Sequence, residues 1–218
     1  MKILTSLLVL IALALAVRFW AWPPQAPEPR AVEGLPWQVE VLEDGSSRVF
    51  DLTLGRDTLG DVLTRLGPDM ELAIIVAGDG PESLEMYYSR YTAGVLTGKL
   101  VLGGELDAAI LAGMRERSGL PRYLDSGARK YHLQREDLAQ AHAAPLQSIT
   151  FIPDARLDED IAIRRFGPPA EIVRQGETTT HLLYPHLGLD LMLNEGYRDV
   201  LQYVAPADFD RLRKPLLE

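Results

Sequence analysis

The spacing of apolar and polar positions divides the chain into three kinds of stretch. Residues 3–17 form an apolar run broken only by Thr5 and Ser6, with Lys2 before it and Arg18, Phe19, Trp20, Ala21 and Trp22 after it. Pro23, Pro24, Pro27 and Pro29 then mark an extended, stiff spacer. From Trp37 the period shortens to two. Trp37, Val39 and Val41 alternate with Gln38 and Glu40, Glu43-Asp44-Gly45-Ser46 supplies a turn, and 49–54 alternates again, which predicts a β-hairpin. Leu59, Val62, Leu63 and Leu66 return to helical spacing, in a helix that starts near Asp57 or Thr58 and is stopped by Gly67-Pro68. Strand-like runs follow at 71–77, 84–91 and 95–102, separated by Gly78-Asp79-Gly80-Pro81 and Ala93-Gly94.

The same order of elements recurs. Gly67-Pro68-Asp69-Met70-Glu71-Leu72 is echoed by Gly167-Pro168-Pro169-Ala170-Glu171-Ile172, and Arg165 matches Arg65. Ile161, Ile163 and Phe166 predict the apolar face of a second helix, whose acidic start Asp158-Glu159-Asp160 suits the positive end of the helix dipole. Strand-like runs at 171–174, 181–184, 187–193 and 200–204 come after it. Between the copies lies a mostly helical connector carrying Leu106, Ile110, Leu111 and Met114, a strand-like run at 128–133 and a short helix near Glu136. Asp208 or Ala207 opens a final short helix.

The second copy resembles small outer-membrane assembly lipoproteins of the BamE (SmpA) type and, more broadly, the fold of β-lactamase inhibitor protein. Carrying the resemblance are Arg165-Phe166-Gly167-Pro168-Pro169, the turn Gln175-Gly176-Glu177, Leu183-Tyr184, Gly188-Leu189-Asp190-Leu191 and Asn194-Glu195-Gly196-Tyr197-Arg198-Asp199-Val200. It covers 155–204 well and 56–102 loosely. The chain departs from those lipoproteins in lacking a lipidated cysteine, and in showing one clear helix per copy. The resemblance implies an α+β fold of two similar modules, each a helix packed on a small antiparallel sheet, after an N-terminal apolar helix. The expected divisions are 1–22 as signal anchor or signal peptide, 23–36 as spacer, 37–104 as first module, 105–145 as connector and 146–218 as second module.

Composition narrows the function. A net charge of −9 and scattered basic residues argue against nucleic acid as a partner, because phosphate binding needs clustered Lys and Arg. With no cysteine, the chain has neither disulfides nor thiolate chemistry. The apolar run is about 15 residues, short of the roughly 20 that cross a bilayer, but its Trp flank extends it. Two readings stand: a cleaved signal peptide using the small residues Ala14 and Ala16, which would leave the body secreted to the periplasm, or an uncleaved anchor. The aromatic flank favours the anchor, placing the protein in the bacterial inner membrane as a single-pass chain held through residues 3–22, its body in the periplasm.

Candidate chemistry is thin. His132, His142, His181 and His186 do not share a metal-ligand spacing: His181 and His186 would face opposite sides of a strand, and all four read as surface or edge residues. Asp190, His186 and Ser148 can be written as a triad, but no nucleophile sits on a strained turn. Gly103-Gly104 and Gly78-Asp79-Gly80 read as turns, and Asp158-Glu159-Asp160 as a helix start. Tyr87, Tyr88, Tyr91, Tyr184, Tyr197 and Tyr203 stand out instead, as tyrosines on or beside meander strands that can anchor an interface on an open sheet face. The expected function is a protein-protein interaction module without enzyme activity, cofactor or metal, binding another envelope protein. The alternative is a module holding a lipid or other small apolar ligand between the copies.

Overall fold

A computed structural model of the protein describes residues 33–217. β1 (Glu40–Val41), β2 (Ser47–Val49) and β3 (Leu52–Thr53) form a three-stranded antiparallel sheet. In the first turn the Asp44 carboxylate accepts from the Ser46 amide at 3.1 Å and from its hydroxyl at 2.6 Å. The second turn is made by Phe50 and Asp51, both in the left-handed region with φ of 55° and 58°, as a two-residue type I′ turn requires. A phenylalanine there costs about 1–2 kcal/mol. Its ring, 3% exposed, packs edge-on to Tyr91 and Tyr203 and tilted against Phe151, at 5.6, 5.7 and 5.5 Å between centroids. Burying such a side chain contributes about 1.5–3 kcal/mol, enough to offset the backbone strain.

Two helix-and-meander segments follow and are built alike. α1 (Leu59–Leu66) leads into β4 (Glu71–Val76), β5 (Glu82–Ala93) and β6 (Leu96–Gly104). After α2 (Ala108–Arg117), β7 (Arg122–Tyr123), β8 (Arg129–His132), α3 (Leu138–His142) and β9 (Leu146–Pro153), α4 (Glu159–Phe166) leads into β10 (Glu171–Gln175), β11 (Thr179–Tyr184), β12 (Leu189–Asn194) and β13 (Val200–Val204). A short α5 (Asp210–Arg213) comes last. Thr58 caps α1 by accepting from the Asp61 amide at 3.2 Å, and Asp158 caps α4 by accepting from the Ile161 amide at 2.6 Å. Both helices stop at a glycine with φ near +85° and extended ψ, a conformation essentially confined to glycine: Gly67 at 88° and Gly167 at 84°. The second strand of each meander then sends a tyrosine hydroxyl back to that glycine, from Tyr88 to the Gly67 carbonyl at 2.9 Å and from Tyr184 to the Gly167 carbonyl at 3.2 Å.

The strands do not close into two small sheets. β6 pairs antiparallel with β9, Lys99 opposite Ile152 and Leu100 opposite Phe151, and this seam merges both meanders into one ten-stranded sheet of order β10-β11-β12-β13-β9-β6-β5-β4-β8-β7. Gly98 makes the seam possible, because a Cβ there would stand 2.3 Å from the Ile152 carbonyl oxygen. The expected α+β fold of two similar modules, each a helix packed on its own small antiparallel sheet, is therefore corrected to a mostly β body, one long antiparallel sheet with a three-stranded sheet on it. Because side chains alternate along each strand, the sheet has two distinct faces. One carries Ile74, Leu84, Met86, Leu100, Leu102, Ile149, Phe151, Leu191, Leu201 and Tyr203, all buried with Leu59 and Val62 of α1 and Val49, Phe50, Leu52 and Leu54 of the small sheet and its turn. The opposite face is largely polar.

The expectation of a single-pass inner-membrane protein is likewise corrected. Among the described residues no helix is long and apolar enough to cross a membrane. The apolar run at 3–17 and the proline-rich stretch at 23–29, on which the anchor, signal and spacer readings fall, lie outside the described residues.

Candidate functional site

The polar face is built in rows by the strand register. One row runs Tyr87, Val101, Thr150, Gln202, Asp190 across β5, β6, β9, β13 and β12. The adjacent row runs Glu85, Gly103, Ser148, Val204. Part of this face is covered. Phe209, with Leu212 and Leu216, packs on Leu183 and Val204, making a small second core above the β11 to β13 half. Over the β5 to β9 half the face stays open as a groove of about 450 Å³, floored by Ser83, Glu85, Val101, Ser148, Thr150 and Gln202 and flanked by Leu106, Leu111, Arg211 and Leu212. A second hollow of about 420 Å³, lined by Glu71, Glu85, Tyr87, Lys99, Arg122 and Lys130, meets it at Glu85. Gly103 keeps the floor low, since a Cβ on it would collide with Ser148 Oγ at 2.3 Å. The Gly103-Gly104 pair thus belongs inside β6 and is not the turn its composition suggested.

The acids around the groove differ in how they are neutralised. Glu82 pairs with Arg115 at 2.9 Å, Glu105 with Arg211 at 3.4 Å, and Glu71 with the buried Lys130, which holds the Glu71 carboxyl below its ordinary range. Among the described residues Glu85 has no cation. Burial raises its pKa against the opposing effect of the Ser83 hydroxyl, which donates to Oε1 at 2.7 Å. The second carboxylate oxygen of Glu82 is buried without a hydrogen-bond partner. Within the described residues the side chains of Tyr87, Ser148, Thr150 and Gln202, all half-buried, make no hydrogen bond to the protein, and Lys99 makes no ion pair. The groove floor is therefore a patch of unused donors and acceptors around one uncompensated carboxylate. It can satisfy a polar guest. It holds no arrangement of nucleophile and base.

The six tyrosines do not form one surface. Tyr88, Tyr184 and Tyr203 are buried at 3%, 0% and 1% exposure, the first two closing the helix-ending glycines and the third donating to the Pro36 carbonyl at 2.9 Å. Burial pushes the hydroxyl pKa of all three upward. Tyr91 stacks against Phe50 and Phe151 on the covered face, where burial and, to a lesser degree, Asp51 push its hydroxyl to about 12. Tyr197 projects from the turn between β12 and β13, 80% exposed, its amide bound by Asn194 Oδ1 at 2.9 Å. Of the six, Tyr87 lines the second hollow, which meets the groove at Glu85.

The histidine reading also changes. His181 is not a surface residue: it is buried, and its Nδ1 contacts Asp190 Oδ2 at 2.9 Å, because His181 on β11 and Asp190 on β12 share the polar face. Its Nε2 is buried with no partner, so the pair lacks the third group that a hydrolytic triad needs. His186 sits instead in the turn after β11, edge-on to Tyr184. Among the described residues no three His, Asp or Glu side chains gather as a metal site. An apolar void lined by Trp37, Phe151, Leu157, Phe166 and Leu201 measures about 10 Å³, room for no more than a water.

Glu85, Ser148, Thr150 and Gln202 escape a reading that looks for aromatic anchors. The alternation Ser148-Ile149-Thr150-Phe151 does carry a signal, since two hydroxyl residues at period two beside two large apolar ones mark a strand with one wet face. Family models, curated protein sequences and solved structures all fail to match the chain.

Proposed function

We propose that the chain is a protein-binding module without enzyme activity, and that its partner sits on the open β5 to β9 half of the polar sheet face. The observation that carries this reading is the patch formed by Tyr87, Thr150 and Gln202 in one row and Ser148 in the next, half-buried side chains with no hydrogen bond among the described residues, in the middle of a sheet whose other face is sealed. Half-buried polar groups left without partners in the free protein suit an interface that supplies them. The groove is shallow and long rather than enclosed, which suits a polypeptide better than a small apolar ligand.

A large charged side chain at the floor tests the proposal. Thr150→Arg is expected to abolish co-purification of a stoichiometric partner from the native host while leaving the unfolding midpoint of the chain unchanged. Glu177→Arg, in the exposed turn between β10 and β11, is expected to leave it intact. Retention of the same partner by folded Thr150→Arg protein, or no stoichiometric partner with the unaltered chain, overturns the reading.

A further inference from the structure

Resting on that reading, we infer that the groove receives an extended segment of the partner that places a lysine or arginine on Glu85 and an acidic residue on Lys99. Three observations converge on it. The first is the contrast among neighbouring acids: Glu71, Glu82 and Glu105 each have a basic side chain, and Glu85, between them on the floor, has none among the described residues. A carboxylate taken this far from water without a cation is costly, and a guest ammonium or guanidinium removes the cost.

The second observation is shape. Gly103, opposite Glu85 on the open face, carries no side chain, so a guest backbone can approach the sheet where the acid lies. The hydroxyls of Ser148 and Thr150 and the amide of Gln202 flank that approach and meet peptide groups.

The third is a matched spacing of charge. Lys99 lies on β6 four residues from Gly103, the position facing Glu85, so the two unneutralised groups are separated by about 13 Å along the strand direction. Both border the same hollow. A guest in β conformation rises by the same step, so a base and an acid four positions apart in its sequence fall on Glu85 and Lys99 together. The net charge of −9 steers the basic end towards the chain.

The full chain is titrated by calorimetry with the capped pentapeptide acetyl-Lys-Thr-Val-Thr-Glu-amide and with its norleucine counterpart, in which the ammonium is absent. The lysine peptide is expected to bind at least about tenfold more tightly, the usual worth of a charge-assisted hydrogen bond. That preference is expected to vanish in Glu85→Gln, whereas in Lys99→Gln the affinity for both peptides is expected to weaken by about threefold, as suits an exposed pair, with the preference kept. It is also expected to strengthen as pH rises through the titration of Glu85, because only the carboxylate attracts the ammonium. In Glu85→Lys, a peptide with glutamate in place of its lysine is expected to regain the lost affinity; where that variant does not fold, Glu85→Gln decides alone. Equal affinity for lysine and norleucine peptides, no binding of either, or a preference that survives in Glu85→Gln overturns the inference. Such a failure alongside Thr150-dependent capture of a partner removes the charge match and leaves the binding face standing, whereas capture that ignores Thr150→Arg removes the binding face itself.

Discussion

Phe151 and Thr150 are neighbours in one strand and live in different solvents. Phe151 points into the covered face, fully buried against Phe50 and Tyr91, while Thr150 points into the groove, half-buried, its hydroxyl without a hydrogen bond among the described residues. The same contrast repeats along β5, where Met86 is sealed and Glu85 and Tyr87 line the opening. One face of the sheet therefore holds the molecule together, and the open half of the other is supported by that stability while contributing little to it. Stability and recognition are separated by the thickness of a single backbone layer.

That separation can be broken most directly by truncation. Phe151→Ala is expected to cost about 3–5 kcal/mol in urea unfolding, through lost burial and a residual cavity. Thr150→Ala, one residue away, is expected to stay within about 0.5 kcal/mol. A comparable loss at Thr150 would mean that the open face is structural after all. Next in size is an exception on the polar face, the buried Lys130 paired with Glu71. Glu71→Ala strands an ammonium and is expected to cost about 1–3 kcal/mol, whereas Glu71→Ala with Lys130→Met is expected to recover most of it. The tyrosine latches are smaller still. Tyr88→Phe and Tyr184→Phe each remove one buried hydroxyl contact, and each is expected to cost about 1 kcal/mol. Unequal losses would show that the two helix ends are not held alike.

The smallest effect is the pH dependence of the open face. Burial raises the folded-state pKa of Glu85, so its contribution is most favourable below its unfolded value and is lost as pH rises through the raised one. Glu85→Gln is accordingly expected to stabilise the chain slightly at neutral pH and to make no difference in acid, as thermal melts at the two conditions would show. A variant less stable at neutral pH would indicate a cation near Glu85 in the unbound chain.

Local chemistry was legible in the sequence. The helix starts at Thr58 and Asp158 and the stops at Gly67 and Gly167 follow from capping and from glycine, both of which act within a few residues. What escaped was long-range. The seam between β6 and β9 joins residues some fifty positions apart, and no local pattern designates which strand edge another will seek. The turn at Phe50-Asp51 escaped because its left-handed geometry is imposed by burial of the ring rather than by the usual Asn-Gly chemistry. Tyr91 shows a subtler failure. Strict alternation puts it on the face of Tyr87, but a bulge between Tyr88 and Tyr91 inserts one residue against β6 and turns Tyr91 to the covered side. At the candidate site the chain disclosed Tyr87 but concealed Glu85, because a carboxylate becomes informative only when its neighbours are seen to have cations and it does not.

The seam has a consequence during synthesis. Until β9 has been translated and left the ribosome, β6 is a raw edge with unpaired backbone groups, a natural template for stray pairing between nascent chains. Gly98, Lys99, Gly103 and Gly104 make that temporary edge flexible, charged and short of side chains to pack. The residues that let two strands approach in the finished sheet thus also guard the unfinished one against aggregation on the polysome.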